Sequence, residues 1–332
     1  MLEFDNFTDC YIALVNKVYN SPEYTSSPRG MNVKEVLGCT FKIKDPRSRI
    51  PFVAPREFST QYMIAELLWY LSGDNSTSWI SNYSSFWKKI SDDGSTANSA
   101  YGARIFCPHD RIAGGKLTQW DYIKGELTSD PDSRRAVIHI RSPWDSIYAK
   151  LDVPCTLTLQ FFIRDEKLHM ISNMRSSDLI LGIAYDIPAF TFFQEMLAFE
   201  LNVGLGEYIH MSNSLHIYER HFSMAKAILT PTAISQAKMQ QISRGVMPPM
   251  ESAPPVESMY SFEKQLRLDS NIEEIMESLN EFSSMSSGGD NYWNDWAKIL
   301  CSHRMKKVGL LKESKNMINS TAYVGYHLMG DF

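Results

Sequence analysis

The spacing of apolar positions changes along the chain, and each change marks an element. Residues 7–19 read as a short amphipathic helix, followed by a Pro/Ser/Gly-rich loop from Ser21 to Gly30 that carries Arg29. Between Phe58 and Leu71 the apolar residues Ile64, Leu67, Leu68 and Leu71 fall at i, i+3, i+4 and i+7. That spacing predicts a helix, and Gly73 is a natural stop. Val137–Ile140 and Leu157–Ile163 read as buried strands. Arg164 to Lys167 supplies a turn into a further strand, Leu168–Met174. Ile187–Leu201 is apolar nearly all round, which predicts a helix buried in the domain centre.

The pattern changes after about residue 225. Pro248-Pro249 and Pro254-Pro255 mark a linker-like stretch. Two helical patterns follow, about 259–282 and 291–307, separated by Ser286-Ser287-Gly288-Gly289. The expected division is a catalytic domain over 1–225 and a Pro-containing linker with a helical C-terminal extension over 226–332. The 332 residues are 44% hydrophobic and 21% charged, enough for a sizeable core. A formal net charge of -5 argues against a nucleic-acid-coating surface but allows a local arginine cluster for an anionic small substrate. The five cysteines have no paired spacing and form no zinc-like run, which predicts a reduced, cytoplasmic setting with no metal. The acidic start Met1-Leu2-Glu3-Phe4-Asp5 has no basic region and no long apolar run behind it, so neither signal peptide nor membrane span is expected.

Candidate chemistry centres on Asp152-Val153-Pro154-Cys155 and on the run from Arg175 to Ile187. A lone cysteine is commonly an inert core residue, so its surroundings decide. Arg134 and Arg135 follow Asp130-Pro131-Asp132-Ser133 directly into a strand. With Arg29, Arg175 and Ser176 they make a phosphate cage, because guanidinium forks bind phosphate bidentately. Glu66 lies on an apolar-rich helix, where partial burial would raise its pKa towards the working pH. His216 and Tyr218 sit two apart on one face at the end of a strand.

Glu66-Leu67-Leu68-Trp69, Tyr101-Gly102, Asp130 to Arg135, Pro154-Cys155, Arg175 to Asp178 and His216-Ile217-Tyr218 occur in one order and spacing over about residues 58–225. In this the chain resembles the thymidylate synthase family. The resemblance implies an α+β fold with a large mixed β-sheet backed by helices, dimerised sheet to sheet. It implies shared active sites in which the double arginine reaches the phosphate of the neighbouring subunit. It makes Cys155 the nucleophile, Glu66 the carboxylate that orders water and moves protons, and Tyr101 part of a proton relay. His216 and Tyr218 would bond the sugar 3'-hydroxyl. Asp178, Gly182, Trp87 and Glu66 would hold the folate, 5,10-methylenetetrahydrofolate. Retention of the nucleophile, Glu66, Tyr101 and the arginines argues against a non-catalytic binding or structural member.

Asp186 departs from the family, whose uracil-reading members carry asparagine there. Uracil presents an N3–H donor beside an O4 acceptor, which an amide answers. Cytosine presents an N3 acceptor beside N4–H donors, which a carboxylate suits. It would also stabilise N3 as that atom gains a proton when the thiolate adds at C6. The substrate expected is therefore a cytidine monophosphate, dCMP ahead of CMP, as in viral deoxycytidylate hydroxymethylases. Thr156 stands where synthases have histidine, Ile90 where a second pocket tryptophan is usual, and Leu328-Met329-Gly330-Asp331-Phe332 replaces their short aliphatic tail. A looser pocket admits water, so hydroxymethylation is expected over methylation. A synthase-type methyltransferase and a dUMP hydroxymethylase are the alternatives.

Overall fold

The computed structural model describes residues 1–53, 55–56, 58–108, 117–148, 151–230, 246–285 and 291–327. The separator at Ser286–Gly289 and the chain end at Leu328–Phe332 lie outside them. The described strands form one mixed sheet: β1 (Leu2–Phe4), β2 (Tyr24–Ser26), β3 (Val33–Ile43), β4 (Val137–His139), β5 (Thr156–Arg164), β6 (Lys167–Met174), β7 (Ser177–Asp178) and β8 (Gly204–Tyr218). Its spatial order is β1-β3-β8-β6-β5-β4, with β2 added to β3 and β7 to β8. β3 runs antiparallel to β8, and β8 runs parallel to β6. The large mixed sheet expected from the sequence is present.

The helices up to the second long strand are α1 (Phe7–Asn20), α2 (Thr60–Leu71), α3 (Thr77–Ile80), α4 (Phe86–Ile90), α5 (Tyr101–Phe106), α6 (Gln119–Ser129), α7 (Asp145–Tyr148) and α8 (Ile183–Glu200). α9 (Phe222–Leu229), α10 (Val256–Leu266), α11 (Ile272–Met285), α12 (Asn291–Lys307), α13 (Leu311–Asn319) and α14 (Val324–His327) follow. α1 and α8 cover one sheet face, burying Phe41, Met170, Tyr208 and His210 completely. The alternate positions Ile171 and Ile209, paired in register, are only half-buried, and Met211 is exposed. Among the described residues this period-2 alternation leaves one face open. α8 carries no amphipathic stripe because it is buried along most of its length, as its uniform apolarity predicted.

Two features position the site. Ser59 caps α2 by accepting from the Tyr62 amide, and Gly73 turns the chain at φ +70 just past its end. α5 lies hard against α2: a Cβ on Gly102 would stand 2.0 Å from the Tyr70 carbonyl oxygen, so only glycine lets Tyr101 approach this closely.

The pattern over 259–282 is two helices rather than one. Asn271 caps α11 by accepting from the Glu274 amide at 3.0 Å, and the Glu274 carboxylate accepts from Ser270 N at 2.6 Å. The buried Asp269 in the break accepts from Ser278 Oγ at 2.8 Å. The C-terminal helices pack behind α2, α3 and α8. Trp79 Nε1 and Tyr83 OH both donate to Glu263 on α10, at 2.6 and 2.8 Å. Phe192 on α8 meets Trp293 and Trp296 of α12. Arg49 and Glu195 form a buried ion pair, and Glu195 also accepts from Met250 N at 3.0 Å. Among the described residues no helix is long and apolar enough to cross a membrane.

Candidate active site

Cys155 ends a loop and immediately precedes β5. Pro154 fixes the backbone ahead of it, and Arg175 fixes the carbonyls. The guanidinium donates from Nε to Pro154 O at 2.9 Å and from Nη2 to Val153 O at 2.8 Å. Nη2 also stands 3.5 Å from Cys155 Sγ. Burial pushes the Cys155 thiol up. Arg175 and Arg29 pull it back, while Asp186 and Asp152 add to the rise.

An open cleft of about 510 Å³ lies beside this loop, lined by Arg29, Glu35, Arg141, Val153, Arg175, Ser176, Ser214, His216, Tyr218 and neighbours. The pairing of β7 with β8 sets Asp178 opposite His216. His216 Nδ1 donates to Ser214 O at 3.3 Å, since a carbonyl can only accept, so Nε2 is left for another group. Its ring meets Tyr218 edge-on at 5.0 Å. Arg29 enters the cleft from a left-handed conformation, φ 53 and ψ 32, which is uncommon away from glycine and puts backbone strain at the site.

Cys155, Tyr101, Glu66 and Asp186 form an inner group coupled by charge: Asp186 raises the other three. Gly182 caps α8, and Asp186 lies in its first turn, where the helix dipole favours negative charge. Burial nonetheless pushes its carboxyl up to about 7, with the charge of Asp178 adding to the effect. Burial pushes Glu66 up to about 8 against the opposing hydrogen bond from Tyr62. Trp87 Nε1 donates to Tyr62 OH at 3.0 Å, and Tyr62 OH bonds Glu66 Oε1. Asp178 Oδ1 accepts from Ile180 N at 2.8 Å. Thr156 is buried beside Tyr101, and Ile90 packs partly buried against the core.

Arg29, Arg175, Ser176, His216 and Tyr218 are thus brought together, with Cys155, Glu66, Tyr101, Trp87, Asp178, Gly182 and Asp186 alongside. Arg134 and Arg135 are not. Arg134 O accepts from Gln160 Nε2, five residues along β5 from Cys155, or about 17 Å at ~3.3 Å per residue. Arg135 is 73% exposed and pairs with Glu126 at 2.8 Å. Three groups were not foreseen. Arg141 adds a third cation to the cleft. Glu35, opposite His216 on β3, accepts from Ser214 Oγ and adds a carboxylate to the cleft. Tyr62 was legible only as the residue one helical turn before Glu66. Among the described residues no group of three or more His, Cys, Asp or Glu side chains is placed to hold a metal ion.

A family model described as "Thymidylate synthase" matches residues 9–247. The chain is 30% identical over 218 residues to the deoxyuridylate hydroxymethyltransferase of Bacillus phage SP01, an alignment covering 64% of this chain and 57% of that protein. The chain therefore spans a little over half the length of that relative. Thermostable thymidylate synthase A from Bacillus subtilis superimposes with a TM-score of 0.57 at 23% identity, covering 68% of this chain and 85% of that one, a likeness of fold.

Proposed function

Because the chain belongs to the thymidylate synthase family, we propose that it transfers a one-carbon unit to C5 of a pyrimidine nucleoside monophosphate, and that it 5-hydroxymethylates a cytidylate. The observation that carries the choice of base is Asp186, an ionisable group beside Cys155 at the start of α8 where the family's uracil readers carry an amide. A carboxylate accepts from N4–H and supports the proton that N3 gains as Cys155 adds to C6, an interaction that strengthens along the reaction.

The phosphate meets Arg29, Arg141, Arg175 and Ser176. His216 Nε2 and Tyr218 meet the sugar hydroxyl. Tyr101, beside Cys155 and Asp186, handles the C5 proton, and Glu66 orders water. The donor set fits a folate: Asp178, with Oδ1 engaged by the turn it heads, suits the adjacent N–H groups of a pterin, and Trp87 and Glu66, joined through Tyr62, would line the rest of its site. 5,10-methylenetetrahydrofolate would supply the one-carbon unit at the oxidation level of formaldehyde. We further propose a homodimer through the open sheet face. The position of Arg134 and Arg135 away from this chain's own cleft supports their service to a partner's phosphate.

The name of the phage relative favours a second reading, hydroxymethylation of dUMP. A carboxyl poised near neutrality supports it too, because its protonated form can donate to O4. Incubation with the folate and CMP, dCMP or dUMP in turn, followed by mass measurement, separates the readings. A hydroxymethyl product from a cytidylate is expected. Product from dUMP alone would replace the first reading with the second, and a methyl product would return the chain to synthase chemistry.

A further inference from the structure

Tyr62 stands one turn before Glu66 on α2, so the two side chains share a face. An indole nitrogen only donates, so the Trp87 N–H occupies a lone pair on the Tyr62 oxygen at 3.0 Å. The phenolic proton is then left for Glu66 Oε1. The direction Trp87 to Tyr62 to Glu66 is fixed by the chemistry of its first member. Oε1 is an acceptor in either protonation state of Glu66, and an acid proton must sit on Oε2.

Among the described residues the groups facing Glu66 are Tyr62 and Tyr70 from α2, Tyr101 from α5, and Tyr185 and Asp186 from α8. Burial keeps all four tyrosines protonated. Asp186 is thus the one facing group besides Glu66 that ionises near neutrality. Burial raises Glu66; the bond from Tyr62 is the largest opposing influence, with a smaller one from a hydrogen bond of Tyr70, and the charge of Asp186 adds to the rise.

We propose that Tyr62 is a positioning residue that clamps Glu66 by Oε1, so that Oε2 receives the proton of the water that captures the one-carbon unit as hydroxymethyl. This rests on the hydroxymethylation reading above. Water oxygen bonds to the exocyclic methylene on C5, and the methylene π electrons move onto the ring. The water proton passes to Glu66 Oε2. The ring electrons then re-form C5=C6 and expel the Cys155 thiolate, so the charge lost by Glu66 reappears on sulfur. The enzyme neither gains nor loses electrons.

The test uses the full chain and two readouts. Infrared difference spectra, with Glu66→Gln as reference, follow the carboxyl band of Glu66 against pH without any substrate. In Tyr62→Phe the midpoint should rise by about one unit, because a hydrogen bond to the charged form is lost. Hydroxymethyl kcat should fall roughly tenfold at neutral pH and recover as pH passes the new midpoint, with the nucleotide KM unchanged. Trp87→Phe frees the Tyr62 proton to rotate and should give a smaller upward shift, which tests the same clamp should Tyr62→Phe not fold. An unmoved midpoint in whichever variant folds overturns the clamp. If the parent chain forms no hydroxymethyl product from any pyrimidine nucleotide, the function fails, and with it the assigned role of Oε2. The infrared midpoint still decides the clamp itself.

Discussion

At the scale of single residues, base reading by Asp186, as proposed, would tie base choice to proton concentration. With its carboxyl near 7, the charged form above that pH would accept from cytosine N4–H and oppose uracil O4. Below it the acid O–H would donate to O4 while its carbonyl accepts N3–H, so uracil would be tolerated. Preference for cytidylate over dUMP should therefore rise with pH, by roughly tenfold or more between about pH 6 and about pH 8.5. The ratio of kcat/KM values measures it. In Asp186→Asn the ratio should be flat with pH and turned towards uracil; an unchanged preference for cytidylate would refute base reading by Asp186. Cys155 and Arg175 were legible because each sits in a short run, Pro154-Cys155 and Arg175-Ser176, although the two meet across twenty residues of chain. Glu35 and Arg141 were not, because each joins the cleft from a strand or loop whose local sequence says nothing of His216 or Arg29.

At the scale of elements, legibility followed burial. β5, β6 and α8 are apolar runs, and the sequence marked them to within a few residues, although α8 begins before Ile187. β3 and β8 are longer, yet only the end of β8 was read as strand. Their interiors are interrupted by polar residues that find partners in the fold. His210 is buried, held neutral with its pKa down to about 3, and lies within hydrogen-bond reach of Ser172, Tyr208 and Ser177. The break between α10 and α11 needed the Asn271 and Glu274 cap to be recognised inside a pattern that kept its period. The Arg49–Glu195 pair had no signal at all, because its partners are far apart in the chain and each looks like a surface charge. It clasps the strand β3 exit to α8 and Met250. Glu195→Ala strands the buried guanidinium and should cost about 3–5 kcal/mol in urea unfolding. Arg49→Met with Glu195→Leu should recover most of that loss. Equal stability of Glu195→Ala and the parent would show the pair to be idle.

At the scale of the whole molecule, one sheet face is covered by α1 and α8 and, among the described residues, the other is open. Among the described residues the cleft holds three cations of its own, Arg29, Arg141 and Arg175, while Arg134 and Arg135 stand about 17 Å along β5 from Cys155. If they serve a second copy, mixing inactive Cys155→Ser with inactive Arg135→Ala should restore activity. Random exchange gives about half heterodimers, each with one intact site. The recovered rate should approach a quarter of the parent's, at about one intact site in four. No recovery after exchange verified by mass would place phosphate binding within one chain. The C-terminal helices lean on the back of α2, so the helix that carries Glu66 is gripped between the site and the extension.

The pairing of β3 with β8 also sets an order of events during synthesis. β3 leaves the ribosome early, but its main partner begins at Gly204, and at about 5–20 residues per second it waits on the order of 10–30 s. The β5–β6 hairpin, whose partners are adjacent, closes before the β3–β8 pair does. Nascent chain would therefore expose the unpaired edge of β3 until β8 arrives, and no cleft for a nucleotide exists before Tyr218 has emerged. Ligand would rescue variants that loosen the completed sheet, but not those that stall the chain before β8.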